Sequence, residues 1–339
     1  MTVSLLGLKT KITLIFIVVG IAGLLGVRTY NSYRYHLEKQ TRFMMDTYVT
    51  LSAVGPRGTA SRAVDLALDR MQAVDEKFNP LNPKSPIHAF NHRGVPITDG
   101  EVLRVIRAAL KVSDATDGAF DITVEPLIEL WGFYGDSPHL PRDQEIKDTL
   151  NKTGYRRLLF RDGKLEKGRA DTAIGLGGIA KGYAAQQAAK VLLNEGVTSA
   201  LIDAGGDVYA LGKKGREFWK VGLRSPRGEG LIGYVEVEDR AVMGSGDYER
   251  FFIKDGHQYH HILDPRTGFP AQGLSAVTLV HSDPMVADAW CTALFVLGSE
   301  EGLELVEKMP GMEAIMIKTT GEKLFSSGLR NAVKGMDGF

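Results

Sequence analysis

Apolar side chains at positions 64, 68, 71, 74 and 78 recur every three or four residues, so Val64, Leu68, Met71, Val74 and Phe78 share one face of a predicted helix. That helix stops before Asn79-Pro80-Leu81-Asn82-Pro83, where Pro and Asn favour turns. A second amphipathic helix follows Asp99, whose carboxylate suits the free N–H groups of a first turn. It carries Val102, Ile106, Leu110 and Ser113 on one side. Residues 285–297 and 300–308 also read as helices, and 30–41 as a polar connector. Strands are expected at 43–53, 200–202, 219–223, 233–237 and 276–280, which have the composition of strands. Within 157–166, Asp162-Gly163 between apolar residues marks a hairpin turn. The elements alternate without a βαβ period, which predicts an α+β fold in one large unit over 36–339.

Residues 12–27 form an uncharged apolar run, preceded by Lys9 and Lys11 and followed by Arg28. A span needs about 20 residues, and residues 4–8 lengthen the run if the lysines reach the interface. Basic residues ahead of the run predict a cytoplasmic N-terminus and an exported remainder. Residues 1–35 are therefore read as a membrane segment and connector. An uncleaved anchor is preferred to a signal peptide, because cleavage at Gly20-Ile21-Ala22 would leave a very short apolar core.

Composition narrows the function classes. The 41 basic and 41 acidic side chains of the 339-residue chain balance, so the basic footprint of a duplex-nucleic-acid binder is missing. A single Cys excludes internal disulfides and Cys-rich metal clusters. The outlier is Gly, with 39 residues, and its position matters more than its number. GLGGIAKGY at 175–183 runs into an Ala-rich helix, where free backbone N–H groups and Lys181 suit an anion; a tight, closely packed turn is the alternative. DAGGD at 203–207 offers two carboxylates to a metal or to ribose hydroxyls, or caps its own turn. GSGDYER at 244–250 sets small residues before a charged pair. HHILDPRTG at 260–268 pairs His and Asp beside an X-Pro turn, as an acid–base or ligand loop would. Asp288 and Thr292 are four apart on a helix and share a face, a hard-oxygen pair suited to Mg²⁺, or else an N-cap with an exposed Thr.

Read in order, MMDTYV, KFNPLNPKSPIHAFN, GAFDITVEPLIELWGF, GLGGIAKGYA, LIDAGGD, GSGDYERFF, YHHILDPRTGFP and VADAWCTALFVLG resemble the ApbE/Ftp family of exported flavin transferases, from about residue 42 to the C-terminus. The resemblance implies an ApbE-like domain, related to the T-fold. It implies FAD as substrate, with Mg²⁺, and transfer of FMN through a phosphoester bond to a Thr of a partner protein, with AMP leaving. It places the catalytic domain on the periplasmic side of a bacterial inner membrane. The implied partners are subunits of membrane redox complexes of the Rnf or Na⁺-translocating quinone reductase type. Two alternatives stay open: an Mg²⁺-dependent FAD pyrophosphatase, and a flavin-binding protein without turnover.

Carried over by position, Met45, Asn79, Ala119, Phe120, Asp121, Lys181 and Ile262 fall on FAD contacts, and Gly178, Asp288 and Thr292 on metal ligands. His261 matches the family's recurrent histidine and is the candidate for accepting the acceptor hydroxyl's proton, given an ordinary imidazole pKa. Three positions depart from the pattern. Gly175 stands where many members have an Asp that touches FAD, Cys291 where a third acidic ligand can occur, and Asp46 where a Gly is usual.

Overall fold

The computed structural model describes residues 36–135 and 137–335, together with 13, 17, 19–21 and 23. The expected membrane segment within 1–35 therefore lies almost wholly outside the described residues. Among the described residues no helix is long and apolar enough to cross a membrane.

The chain opens with β1 (His36–Met44), β2 (Thr47–Gly55), α1 (Arg57–Phe78), α2 (Pro86–Arg93) and α3 (Gly100–Ala115). A 3-10 turn (Ile122–Val124), α4 (Glu125–Leu130), α5 (Asp143–Leu150), β3 (Leu158–Arg161) and β4 (Lys164–Lys167) follow. Then come α6 (Gly177–Asn194), β5 (Ala200–Ala204), β6 (Asp207–Leu211), β7 (Trp219–Arg224), β8 (Leu231–Val237) and β9 (Arg240–Gly246). The chain continues through β10 (Phe251–Lys254), β11 (His257–His260), β12 (Leu274–His281), α7 (Pro284–Leu297), α8 (Ser299–Glu307), β13 (Glu313–Lys318) and β14 (Lys323–Phe325). Eight strands form one sheet in the order β1-β2-β5-β6-β9-β12-β13-β14, each antiparallel to its neighbours. The expected α+β class holds.

Side chains of successive strand residues point to opposite faces, and the central strands bury both. On β12, Val277 and Leu279 join the cluster shared with the helices, while Ala276 and Val280 join the opposite one. On β13, Ala314 and Met316 divide from Ile315 and Ile317 in the same way. Helices α1, α6 and α7 cover the first face. The β7–β8 hairpin covers the second through Trp219, Val221, Leu223, Ile232, Val235 and Val237. A satellite core around Trp131, Phe133, Leu127 and Ile146 receives Phe252 and Tyr259 from the β10–β11 hairpin.

Several expectations need correction at their edges. The strand expected at 43–53 is two strands, because Met45 and Asp46 both adopt positive φ (54° and 56°) and reverse the chain between β1 and β2. No Gly announces that turn, so the sequence shows one continuous run. The expected connector 30–41 contains the start of β1, an edge strand whose residues are mostly only half-buried or exposed. By contrast, Asp162 and Gly163 make the expected turn with φ of 46° and 75°. Asp99 caps α3 by accepting from Glu101 N and Val102 N.

Helix α6 lies between α1 and α7, and its small residues allow this. At Gly182 the approach of α7 is closest: a Cβ there would stand 2.7 Å from the Pro284 carbonyl carbon and 2.8 Å from Asp288 Cβ. No side chain fits without separating the helices. Gly182→Ala is therefore expected to destabilise the protein by about 1–3 kcal/mol, the usual range for forced overpacking, although Ala is the better helix former. Equilibrium denaturation measures this, and an unchanged midpoint would contradict the packing described.

Candidate active site

Four elements converge beside the helix crossing. The start of α6 brings Gly178, Lys181 and Gly182; the start of β6 brings Asp207; the end of β9 brings Gly244 and Ser245; and α7 brings Asp288 and Thr292. Lys181 Nζ pairs with Asp207 Oδ2. The other oxygen of Asp207 accepts from Gly244 N at 2.8 Å. Asp288 Oδ2 accepts from Gly182 N at 2.8 Å, the donor that a regular helix directs at the Gly178 carbonyl. Thr292 Oγ1 lies 3.5 Å from Ser245 Oγ, and a Cβ on Gly178 would stand 3.4 Å from Thr292 Oγ1 and 3.0 Å from the Phe120 ring. Gly178, Lys181, Phe120, Asp288 and Thr292 are thus brought together as the motif comparison implied.

The electrostatics of this cluster are unbalanced. Two carboxylates, Asp207 and Asp288, face one ammonium. Burial raises the Asp288 pKa and the Asp207 charge raises it further, against the pull of Lys181 and the backbone donors. Burial disfavours the Lys181 charge, but Asp207 and Asp288 outweigh it and hold its pKa above the ordinary value. The cluster therefore lacks positive charge. Among the described residues no three His, Cys, Asp or Glu side chains gather around one point. A divalent ion placed here would take Asp288, the Thr292 hydroxyl and backbone carbonyl oxygen, a hard-oxygen set. The N-cap of α6, Leu176, supplies no side-chain acceptor to the first turn, and its carbonyl takes the N–H groups of Ile179 and Ala180.

The aspartates of DAGGD divide between the two readings. Asp203 caps its own turn by accepting from Gly206 N at 2.8 Å, whereas Asp207 belongs to the charged cluster. The N-cap of α7 is Asp283, not Asp288, because Asp283 accepts from Met285 N and Val286 N. Cys291 is buried, with its sulfur 3.4 Å from the carbonyl oxygens of both Met243 and Val277, either of which can accept its single S–H. Burial holds the thiol well above the usual cysteine pKa.

Other expected residues line the surroundings or support them. Met45 donates its N–H to Asp75 Oδ2 at 2.9 Å, one turn before Asn79 at the end of α1. The Asn79 side chain accepts from Leu81 N and so shapes the turn after α1. The unusual Asp46 pairs with Arg250 at 3.2 Å, and the Arg250 carbonyl accepts the His261 N–H at 3.1 Å. Ala119 and Ile262 are buried in the main core. Asp121 is a bracing group: its carboxylate accepts from Thr123 N, Thr123 Oγ1 and Tyr155 N at 2.7–2.8 Å, beside a cavity of about 250 Å³ lined also by Arg157 and Arg266.

The HHILDPRTG loop differs from its expectation. Asp264 turns to Arg266, while the His261 ring lies 3.3 Å from the Arg250 carbonyl and buried His260 bonds to Ala271 O at 2.9 Å, so Asp264 forms no acid–base pair with either histidine. His261 does not keep an ordinary imidazole pKa. Burial, then the charge of Arg250 and the neighbouring His260, lowers it. Its ring is therefore neutral at pH 7, free to accept a proton but a weaker base than an unperturbed histidine.

One contact had no signal in the sequence. At Gly175 a Cβ would run into the carboxyl of Glu125, with Cδ at 3.0 Å, and would lie 3.6 Å from the Tyr134 hydroxyl. The Gly175 N–H bonds to Ile122 O at 2.8 Å, tying this loop to the turn just after Asp121. Glu125 is buried, accepts from Tyr134 Oη at 2.6 Å through Oε2, and leaves Oε1 without a partner. Burial pushes its pKa up to about 8.

A family model described as the ApbE family matches residues 45–316. A Treponema pallidum protein named FAD:protein FMN transferase is 33% identical over 262 residues, covering 71% of this chain and 72% of its own length. The Escherichia coli K12 protein of that name is 31% identical over 267 residues, covering 75% and 76%. Among solved structures, the Thermotoga maritima ApbE protein superposes with a TM-score of 0.83 at 34% identity, over 88% of this chain and all of its own. The Vibrio cholerae flavin transferase ApbE gives 0.79 at 27% identity, over 87% and 99%. With the matched model spanning most of the chain and relatives above 30% identity covering over two thirds of it, the chain belongs to the ApbE family.

Proposed function

We propose that this protein is an FAD:protein FMN transferase, which joins FMN through a phosphoester bond to a threonine of a partner and releases AMP. The observation that carries the reading is the pair of buried carboxylates, Asp207 and Asp288, beside half-buried Lys181 at the start of α6, in a chain whose relatives bear that activity by name. Phosphoryl transfer needs mainly positioning and neutralisation of developing charge. The α6 start offers backbone donors to a phosphate, and Lys181, held charged beside Asp207 one turn in, adds a cation.

The deficit of positive charge and the oxygen donors fit Mg²⁺, held by Asp288, Thr292 and the Gly178 carbonyl. When bound, Mg²⁺ supplies charge neutralisation to the pyrophosphate. Asp207 holds Lys181 in place, and the Gly182 N–H orients the Asp288 carboxylate. Neutral His261, whose backbone N–H and ring both meet the Arg250 carbonyl, is the candidate base for the acceptor hydroxyl's proton. The apolar run at 12–27 behind Lys9 and Lys11 supports an inner-membrane anchor with the domain on the periplasmic side. Subunits of Rnf-type or Na⁺-translocating quinone reductase complexes are then the accessible acceptors.

The deciding experiment incubates the protein with FAD, Mg²⁺ and such a subunit. Covalent flavin fluorescence on the subunit is expected; AMP without labelling would replace transfer by hydrolysis, and neither product would indicate binding alone. Asp288→Ala and chelation of Mg²⁺ are each expected to lower AMP release by about 100-fold or more, the scale of losing a main electrostatic group. Unchanged release from Asp288→Ala would refute the metal assignment. His261→Ala is expected to slow labelling while leaving FAD binding intact, and labelling at the native rate would remove His261 from the mechanism.

A further inference from the structure

The Glu125 carboxyl occupies the volume that any side chain at 175 would need, three residues before Gly178. Gly175 needs no positive φ, so packing rather than backbone conformation requires glycine there. Phe120, five residues before Glu125, stands against Gly178, so the same short segment reaches the phosphate-facing loop at two points. One carboxyl oxygen of Glu125 is bonded to Tyr134 and the other, Oε1, is sealed from water with no partner. Buried polar atoms are almost always paired, and an orphan of this kind marks a group awaiting a ligand or held for function.

We propose that Glu125 is a substrate-binding residue of this chain, offering Oε1 as a hydrogen-bond donor to an acceptor atom on a heterocyclic ring of FAD. The assignment rests on the transferase reading, since it takes FAD as the occupant. A ring is favoured over the pyrophosphate because a carboxylic acid beside phosphate would add repulsion whenever it ionised, whereas ring nitrogens and carbonyls accept a neutral O–H donor. Tyr134 already donates to Oε2, which leaves the acid proton on Oε1. The protonated form is the one the site holds at pH 7, since burial and the nearby Glu129 both raise the pKa and only the Tyr134 hydrogen bond opposes them. The charged or titratable groups around the pair are Glu129 on α4, Tyr134 after it, and Arg250 before β10; the 175 loop brings glycine to the contact.

Two variants of the purified full-length protein test this by flavin fluorescence titration with FAD. Glu125→Gln keeps a donor and is expected to bind FAD within about twofold of wild type at pH 7. Glu125→Leu keeps the volume but not the donor, and is expected to weaken binding by about tenfold, the worth of one hydrogen bond. Between pH 7 and 9 the wild-type acid ionises and loses its donor, so wild-type affinity should fall relative to Glu125→Gln, which has nothing to ionise there. That comparison decides the matter even if Glu125→Leu fails to fold. Equal affinities for wild type and a folded Glu125→Leu, or parallel pH profiles for wild type and Glu125→Gln, would overturn the Glu125 assignment and leave the transferase reading standing. A wild-type protein that binds no FAD would overturn both.

Discussion

The contact between α6 and α7 at Gly182 is the constraint on which the site depends. Because no Cβ separates the helices, the Asp288 carboxylate reaches the backbone of α6 and takes the Gly182 N–H. A carboxylate of one helix is thereby fixed against the N–H groups of another, near the positive end of the second helix's dipole. Lys181, the neighbouring residue, leaves the same turn toward Asp207. A glycine that packs two helices thus also sets the distance between the charged groups.

That geometry is held in a poorly solvated place, which gives it chemical meaning. Burying Asp207 and Asp288 is costly unless each is paired, and half-buried Lys181 leaves the pairing one cation short. The raised pKa of Asp288 records that shortage. A stable core has no use for such an imbalance, whereas a site that receives a cation and a phosphate ester does. Glu125 presents the uncharged counterpart: a carboxyl kept protonated by burial, in a gap that only glycine at 175 leaves open. The antiparallel sheet, buried on both faces at its centre, supplies the rigid frame from which β6 and β9 deliver Asp207 and Ser245.

Local patterns made much of this legible. The spacing of Val64 to Phe78 marks α1, Asp99 marks the start of α3, and Asp162-Gly163 marks the β3–β4 turn, because each signal depends on neighbours in sequence. The four-residue spacing of Asp288 and Thr292 likewise puts both on the site side of α7. The Met45–Asp46 reversal is not legible in the sequence because non-glycine residues adopt positive φ there, which composition does not announce. The acid–base reading of the 260–264 loop fails because His261 and Asp264, three apart in sequence, turn to different partners, Arg250 and Arg266.

The sequence by itself determined the α+β class, the order of the motifs and the glycine-rich start of α6, since these follow from periodicity and turn chemistry over short stretches. Only the tertiary structure decided that Asp207 rather than Asp203 faces Lys181, that His261 is kept neutral, and that Glu125 fills the space beside Gly175. These are contacts between residues 26 and 50 positions apart, or consequences of burial. Charge, desolvation and close approach act through space, and the residues that share them carry no common mark along the chain.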